Sequence, residues 1–230
     1  MHGMRTIVKI CGLSTEETLD AAIAAGADMV GLNFFARSPR NVGLARAAEL
    51  AARARGRAAI VALTVDMEAA ALAELVEALD PDWLQFHGSE DEDAILAARR
   101  LHGRPVMKAV GIAAAADLAR AERFVAVADR FLLDAKPPKG ATLPGGNGVA
   151  FDWTLLSALD PSLPVMLSGG LTPENVGTAL AIAPVIGADV SSGVETAPGV
   201  KDPELIRAFV SAVHAAERPA LHSPLESIAS

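Results

Sequence analysis

The sequence predicts an α/β fold, a single closed (β/α)8 barrel, and three observations carry that expectation. Eight short apolar, β-branched runs recur along 230 residues at spacings of about 20–35 residues, the rhythm of parallel strands joined by crossovers. Helix-forming Ala, Leu, Glu and Arg fill the intervals. The hydrophobic 51% of the chain is mostly Ala, Val, Leu and Ile, with no tyrosine, which suits buried parallel strands under small-residue helices. An open doubly wound sheet is the alternative, but no Gly-x-Gly-x-x-Gly follows the first strand.

The elements follow in order. Strand one is expected at Thr6–Cys11, and "STEE" after it looks like a helix start. Strands two and three are expected at Asp28–Phe34 and Ala58–Val65, with a helix over Ala45–Arg55 between them. A helix over Glu68–Leu79 leads to strand four, Trp83–His87. "SEDEDAILAARR" then reads as a helix over Glu90–Leu101, with Ser89 as N-cap, acids in the first turn and arginines in the last. Strands five and six are Pro105–Val110 and Arg130–Asp134. The longest irregular stretch, "KPPKGATLPGGNGVA" at 136–150, comes next. Its three prolines, four glycines and length point to a functional loop, suited to closing as a lid. Strand seven, Pro164–Ser168, precedes "TPENVGTALAIA", a helix with Thr172 as N-cap and Pro173 at its first position. Strand eight is Ala188–Ser192, and a helix over Pro203–Glu217 closes the fold. The barrel thus takes residues 1–217, and "RPALHSPLESIAS", 218–230, is expected to be a flexible tail.

A net charge of −8 argues against a nucleic-acid surface, which needs a basic face. It leaves room for an anionic small molecule, because backbone amides bind phosphate without formal charge. One cysteine excludes an intramolecular disulfide. The N-terminus has no apolar stretch of signal-peptide length, and no run reaches the roughly 20 apolar residues of a membrane span. A cytoplasmic protein without membrane partners is expected.

A barrel places its active site at the C-terminal ends of its strands. The polar residues there are Cys11, Asn33, Asp66, His87, Asp134, Ser168-Gly169-Gly170 and Ser191-Ser192-Gly193. "LSGGLTPEN" and "DVSSGVE" put small-residue turns on neighbouring strands, one of them before a helix N-terminus, which together suit a phosphate; the plainer reading is two tight turns. Cys11 is either a small buried hydrophobe or, below a helix start, a thiolate base. Asp134 follows "RFLL" and precedes the long loop. It is either a desolvated acid with a raised pKa or the partner of Lys136 or Lys139. His87 either contacts a ligand or holds a loop through backbone hydrogen bonds, and Asp66 reads as the cap of a helix beginning near Met67. Arg40 and Arg37 compete as the side chain for a second anion. Scattered histidines offer no metal-ligand spacing, and no cofactor is expected.

"KICGL", "GLNFFARSPRNV", "LQFHG", "KAVG", "LLDAK", "FDW", "LSGGLTPENV" and "DVSSGVE…PGVKD" together resemble phosphoribosylanthranilate isomerase, in order and from about residue 6 to 214. The resemblance implies a (β/α)8 TIM barrel acting in tryptophan biosynthesis. Its substrate is a small phosphosugar, N-(5-phosphoribosyl)anthranilate, rearranged to the 1-deoxyribulose form by acid/base chemistry alone. It implies Cys11 as general base and Asp134 as general acid. Arg40 is similar to the family residue that holds the anthranilate carboxylate, expected here in bidentate contact. Gly145, Gly146, Gly169, Gly170, Ser192 and Gly193 would cradle the phosphate, and the chain would be a monomer or homodimer. The histidine-pathway isomerase and indole-glycerol-phosphate synthase resemble other residue sets at these strand ends, and an epimerase would want metal-ligating histidines. A non-catalytic phosphate-ligand binder would need neither Cys11 nor Asp134.

Lys9 shares strand parity with Cys11, and Asp189 with Ser191, so closing the barrel brings both inward on neighbouring strands. They are expected to pair beneath the site, steadying Cys11 or lowering its pKa.

Overall fold

The computed structural model describes residues 5–216 apart from 138, 139, 142, 147 and 149. The tail expected at 218–230, Lys139 and parts of the 136–150 loop lie outside the described residues. Eight parallel strands close into a barrel in sequence order: β1 (Ile7–Cys11), β2 (Met29–Asn33), β3 (Ala59–Thr64), β4 (Trp83–Phe86), β5 (Val106–Ile112), β6 (Arg130–Ala135), β7 (Val165–Leu167) and β8 (Gly187–Val190). Each lies within a few residues of its expected span. Six α-helices follow strands: α1 (Glu16–Ala25), α2 (Leu44–Ala54), α3 (Ala69–Leu79), α4 (Glu92–His102), α5 (Leu118–Glu122) and α6 (Val176–Ile182). After β6 the described residues make a 3-10 segment, Trp153–Ala158, and after β8 a hairpin, β9 (Glu195–Ala197) and β10 (Val200–Lys201), precedes α7 (Pro203–Ala216).

Three helix starts differ from expectation. α4 is capped by Asp91, whose carboxylate accepts the Ala94 N–H at 2.9 Å, so Ser89 stands two residues outside. Thr172 does not cap α6, which begins at Val176; residues 173–175 form a turn in which the Asn175 side chain accepts the Thr172 N–H. Asp66 caps no helix, since the residue before α3 is Glu68. Its Oδ1 instead accepts from the backbone N–H and hydroxyl of Ser89, tying the β3 and β4 loops together.

Most of the core lies between the barrel and its helices. A second, smaller core fills the barrel itself: Met29, Val61, Met107, Ala109, Leu132 and Met166. Unbranched methionines suit this tapered space, where flexible side chains close gaps. At the N-terminal rim Arg130 lies over the ring of Trp83, 4.4 Å from its centroid, and sends a guanidinium N–H to Met29 Sδ. The floor is therefore packed, and a cavity opens at the C-terminal rim.

Candidate active site

A cavity opens at that rim, lined by residues at or beside the ends of every strand except β5. Cys11, Arg40, His87, Asp134, Gly145, Gly146, Gly169, Gly170 and Ser192 all line it. Gly193 does not: it begins the step behind the wall, where a Cβ would collide with the Leu171 carbonyl. Its role is close packing between the turns after β7 and β8.

Cys11 is 4% exposed and faces Gly31 of β2, where a Cβ would lie 2.9 Å from its sulfur. A glycine on the neighbouring strand is what lets the thiol stand upright at the rim. The expected Lys9–Asp189 pair is present beneath it: Nζ and Oδ1 are 2.6 Å apart, both side chains are buried, and the residues are in register across the β1–β8 seam. Asp189 Oδ2 also accepts the Ser168 hydroxyl at 3.0 Å. Burial pushes the Lys9 ammonium down, but Asp189 and the nearby sulfur outweigh it, so its pKa lies above an ordinary lysine's. The pull toward thiolate expected at Cys11 is present but outweighed by burial. Burial pushes the thiol up, the pull of Lys9 and Lys201 does not offset it, and its pKa stays above the ordinary value. Burial was the factor that strand position alone could not reveal.

Asp134 is the penultimate residue of β6, its carboxyl 6% exposed. Oδ1 accepts the Ala135 N–H at 2.8 Å, and Oδ2 lies 3.2 Å from His87 Nε2. Lys136 pairs with Asp117 at 3.4 Å instead, so the reading of Asp134 as its partner is not met. Among the described residues the His87 side chain meets side chains rather than a loop backbone: its Nδ1 meets Gln85 Nε2 at 3.2 Å, and its other nitrogen meets the acid. The long loop passes over this pair. A Cβ at Gly145 would collide with Asp134 Oδ2 and lie 2.6 Å from His87 Nε2.

Arg40, rather than Arg37, reaches the cavity. Arg37 is exposed and lies over Phe35, 5.8 Å from its ring centroid. The Arg40 stem packs on Gly12, next to Cys11. Its Nε and Nη2 grip Glu195 at 2.7 and 2.8 Å, and Nη2 also donates to the Gly146 carbonyl at 3.2 Å. A second carboxylate can therefore reach Nη1, but bidentate contact requires the Gly146 carbonyl to move aside. Glu195 is shared with Lys201, whose Nζ lies 2.7 Å from Oε1 and also donates to the Ser191 carbonyl at 2.8 Å. Burial pushes Glu195 up, but Arg40 and Lys201 outweigh it and its pKa lies below the usual carboxylate range. Ser191 in turn donates its hydroxyl to the Cys11 carbonyl at 3.1 Å.

Glu195, Lys201 and Gln85 were not among the residues expected at the site. The turn dipeptide Pro198-Gly199 between Glu195 and Lys201 is the one sequence signal for the hairpin that carries two of them.

The turns after β7 and β8 fit an anion. Gly169 and Gly170 have φ of +85° and +64°, and a Cβ at Gly169 would strike the Ala135 amide. With α6 starting six residues later, the N–H groups on offer are those of the turns and of the 3-10 segment Ser192–Val194, not an α-helix end.

The statistical model of the family described as N-(5'phosphoribosyl)anthranilate (PRA) isomerase matches residues 8–212. A curated relative from Rhodopseudomonas palustris (strain BisA53), N-(5'-phosphoribosyl)anthranilate isomerase, is 61% identical over 92% of this chain and 97% of its own. The namesake from Rhizobium meliloti (strain 1021) is 55% identical over 93% of this chain and all of its own. The crystal structure of phosphoribosyl anthranilate isomerase from Thermotoga maritima superposes with a TM-score of 0.81 at 31% identity, covering 91% of this chain and 99% of that one. A structure of the enzyme with reduced 1-(o-carboxyphenylamino)-1-deoxyribulose 5-phosphate gives 0.79 at 28% identity, with the same coverage. With the family matched along nearly the whole barrel, the chain belongs to the N-(5'-phosphoribosyl)anthranilate isomerases.

Proposed function

We propose that this chain converts N-(5-phosphoribosyl)anthranilate to 1-(2-carboxyphenylamino)-1-deoxyribulose 5-phosphate, the isomerisation of tryptophan biosynthesis. Asp134 is the acid: its proton passes to the ribose ring oxygen, the C1′–O bond breaks, and the anthranilate nitrogen forms a protonated Schiff base. Cys11 is the base: it takes the C2′ proton, which the iminium has acidified, and the resulting enolamine tautomerises to the ketone. Cys11 acts in this step as the thiolate, and the charges of Lys9 and Lys201, which pull the sulfur's pKa down, favour that form in a buried site. Gly145, Gly146, Gly169, Gly170 and Ser192 hold the phosphate through backbone amides, with Gly193 packing behind them. Arg40 meets the anthranilate carboxylate through Nη1, and His87 stands beside the acid.

The observation that carries this reading is one buried thiol and one buried carboxyl, on β1 and β6, facing a single cavity with glycine turns between them. No metal is required by this chemistry. We place the enzyme in the cytoplasm, as a monomer or homodimer. The test is direct: purified protein is mixed with phosphoribosylanthranilate and its consumption followed, alongside Cys11→Ser. Turnover by the parent and its loss in the variant, with binding of the reduced product analogue retained, is the expected result. An inactive parent protein that still binds the analogue would mean a binder, not an enzyme.

A further inference from the structure

Gln85 is wholly buried two residues before His87 on the same strand face, and it lines the cavity. Among the described residues its Oε1 has no hydrogen-bond partner. Its one side-chain hydrogen bond among the described residues runs from Nε2 to His87 Nδ1, at 3.2 Å. A leucine or methionine would fill this space without orphaning a buried acceptor, which costs stability. What the glutamine adds over either is an N–H aimed at Nδ1.

That bond decides where a proton sits. A neutral imidazole carries one proton, and a donor facing Nδ1 leaves it for Nε2. Nε2 lies 3.2 Å from Asp134 Oδ2, while Oδ1 of the same carboxyl is already held by the Ala135 N–H. Two donors then fix both oxygens and the plane of the group.

We propose that Gln85 is a positioning residue: by donating to Nδ1 it holds His87 as the Nε2–H tautomer, which orients Asp134 and steadies the carboxylate left when the acid has given up its proton. This rests on the isomerase reading above. In the ring-opening step the Asp134 O–H bond breaks, its proton bonds to the ring oxygen, and the C1′–O electron pair goes to that oxygen. His87 keeps its own proton throughout, so the step needs no further donor. Gln85 touches none of the reacting atoms.

Two measurements test this. In full-length protein with 15N-labelled histidine, His87 should show a pyridine-like Nδ1 and a pyrrole-like Nε2, and in Gln85→Leu this preference should be lost. In turnover of phosphoribosylanthranilate, Gln85→Leu should lower kcat about 10–100-fold, as loss of partners that orient a functional side chain does, with KM within about twofold. Gln85→Met, of different shape, should behave alike, and it stands in if Gln85→Leu does not fold. The inference is overturned by Nδ1–H as the dominant form in the parent protein, by full kcat in the folded variants, or by a raised KM at unchanged kcat, which would make Gln85 a sugar contact. Absence of turnover in the parent would sink the isomerase reading instead, and the tautomer spectrum would still judge Gln85.

Discussion

The aspartates at the two ends of the barrel make different contacts. At the N-terminal rim, Asp28, Asp82 and Asp129 each stand just before an even-numbered strand. Each accepts the second backbone N–H of the strand before it or its first: Val8 at 2.8 Å, Ile60 at 2.7 Å and Val106 at 2.8 Å. At the other rim, Asp189 faces the side chains of Lys9 and Ser168, and Asp134 divides its oxygens between the Ala135 N–H and the His87 side chain. The three N-terminal-rim carboxylates reach across to a neighbouring strand's amide and hold strand ends in register, and Asp28 and Asp129 add surface ion pairs with Arg5 and Arg99. A carboxylate bonded to side chains can exchange partners when a substrate arrives. The same residue type is fold at one end and chemistry at the other because of what its oxygens meet.

Substitutions at the two rims can break or sharpen this contrast. The largest effect is expected from Asp134→Asn, which keeps the shape and removes the acid. Steady-state kinetics should find kcat lower by about 10²–10⁴-fold, with the melting temperature little changed. Asp189→Asn stands between the two regions. It strands the buried Lys9 ammonium, and denaturant unfolding should find a loss of about 3–5 kcal/mol. If stability holds, the pair is not the foundation of the site. Gly145→Ala forces a Cβ against Asp134 and His87, so kcat/KM should fall about tenfold or more at unchanged stability.

A smaller effect is expected in alkali. The folded-state pKa of Cys11 lies above its unfolded value, so the unfolded chain releases this proton first as pH rises. The thiol's contribution to stability is thus complete below the unfolded thiol pKa and is lost through the window up to the folded one. Thermal melts across that window should decline more steeply for the parent protein than for Cys11→Ala. Least of all, Asp82→Ala should cost about 1 kcal/mol by removing one backbone cap, with kcat unaltered. A fall in kcat there would dissolve the distinction between the rims.

The strands were legible because β-branched runs have few other uses, and the glycine turns because small residues clustered at two neighbouring strand ends. Lys9 and Asp189 were legible from parity plus closure. Helix starts were less so: Ser89 and Asp91 are both good caps, and choosing between them needs the geometry of the turn after β4. Glu195 and Lys201 escaped because their hairpin has five strand residues, four of them paired, with a bulge, too short for a periodic signal. Gln85 escaped because an amide between Trp83 and His87 on a strand reads as an ordinary polar neighbour until His87 is seen to lean on it. The state of Cys11 depended on how much protein surrounds it, which local sequence does not state.

The packed floor has a consequence for turnover. With Arg130 laid over Trp83 and the methionines closing the bore, the described residues leave the vessel its mouth at the C-terminal rim. Product has to leave by the doorway through which the next substrate enters, carrying the same phosphate and the same carboxylate. Rivalry between the two for one entrance, felt as product inhibition, is built into a container with no drain.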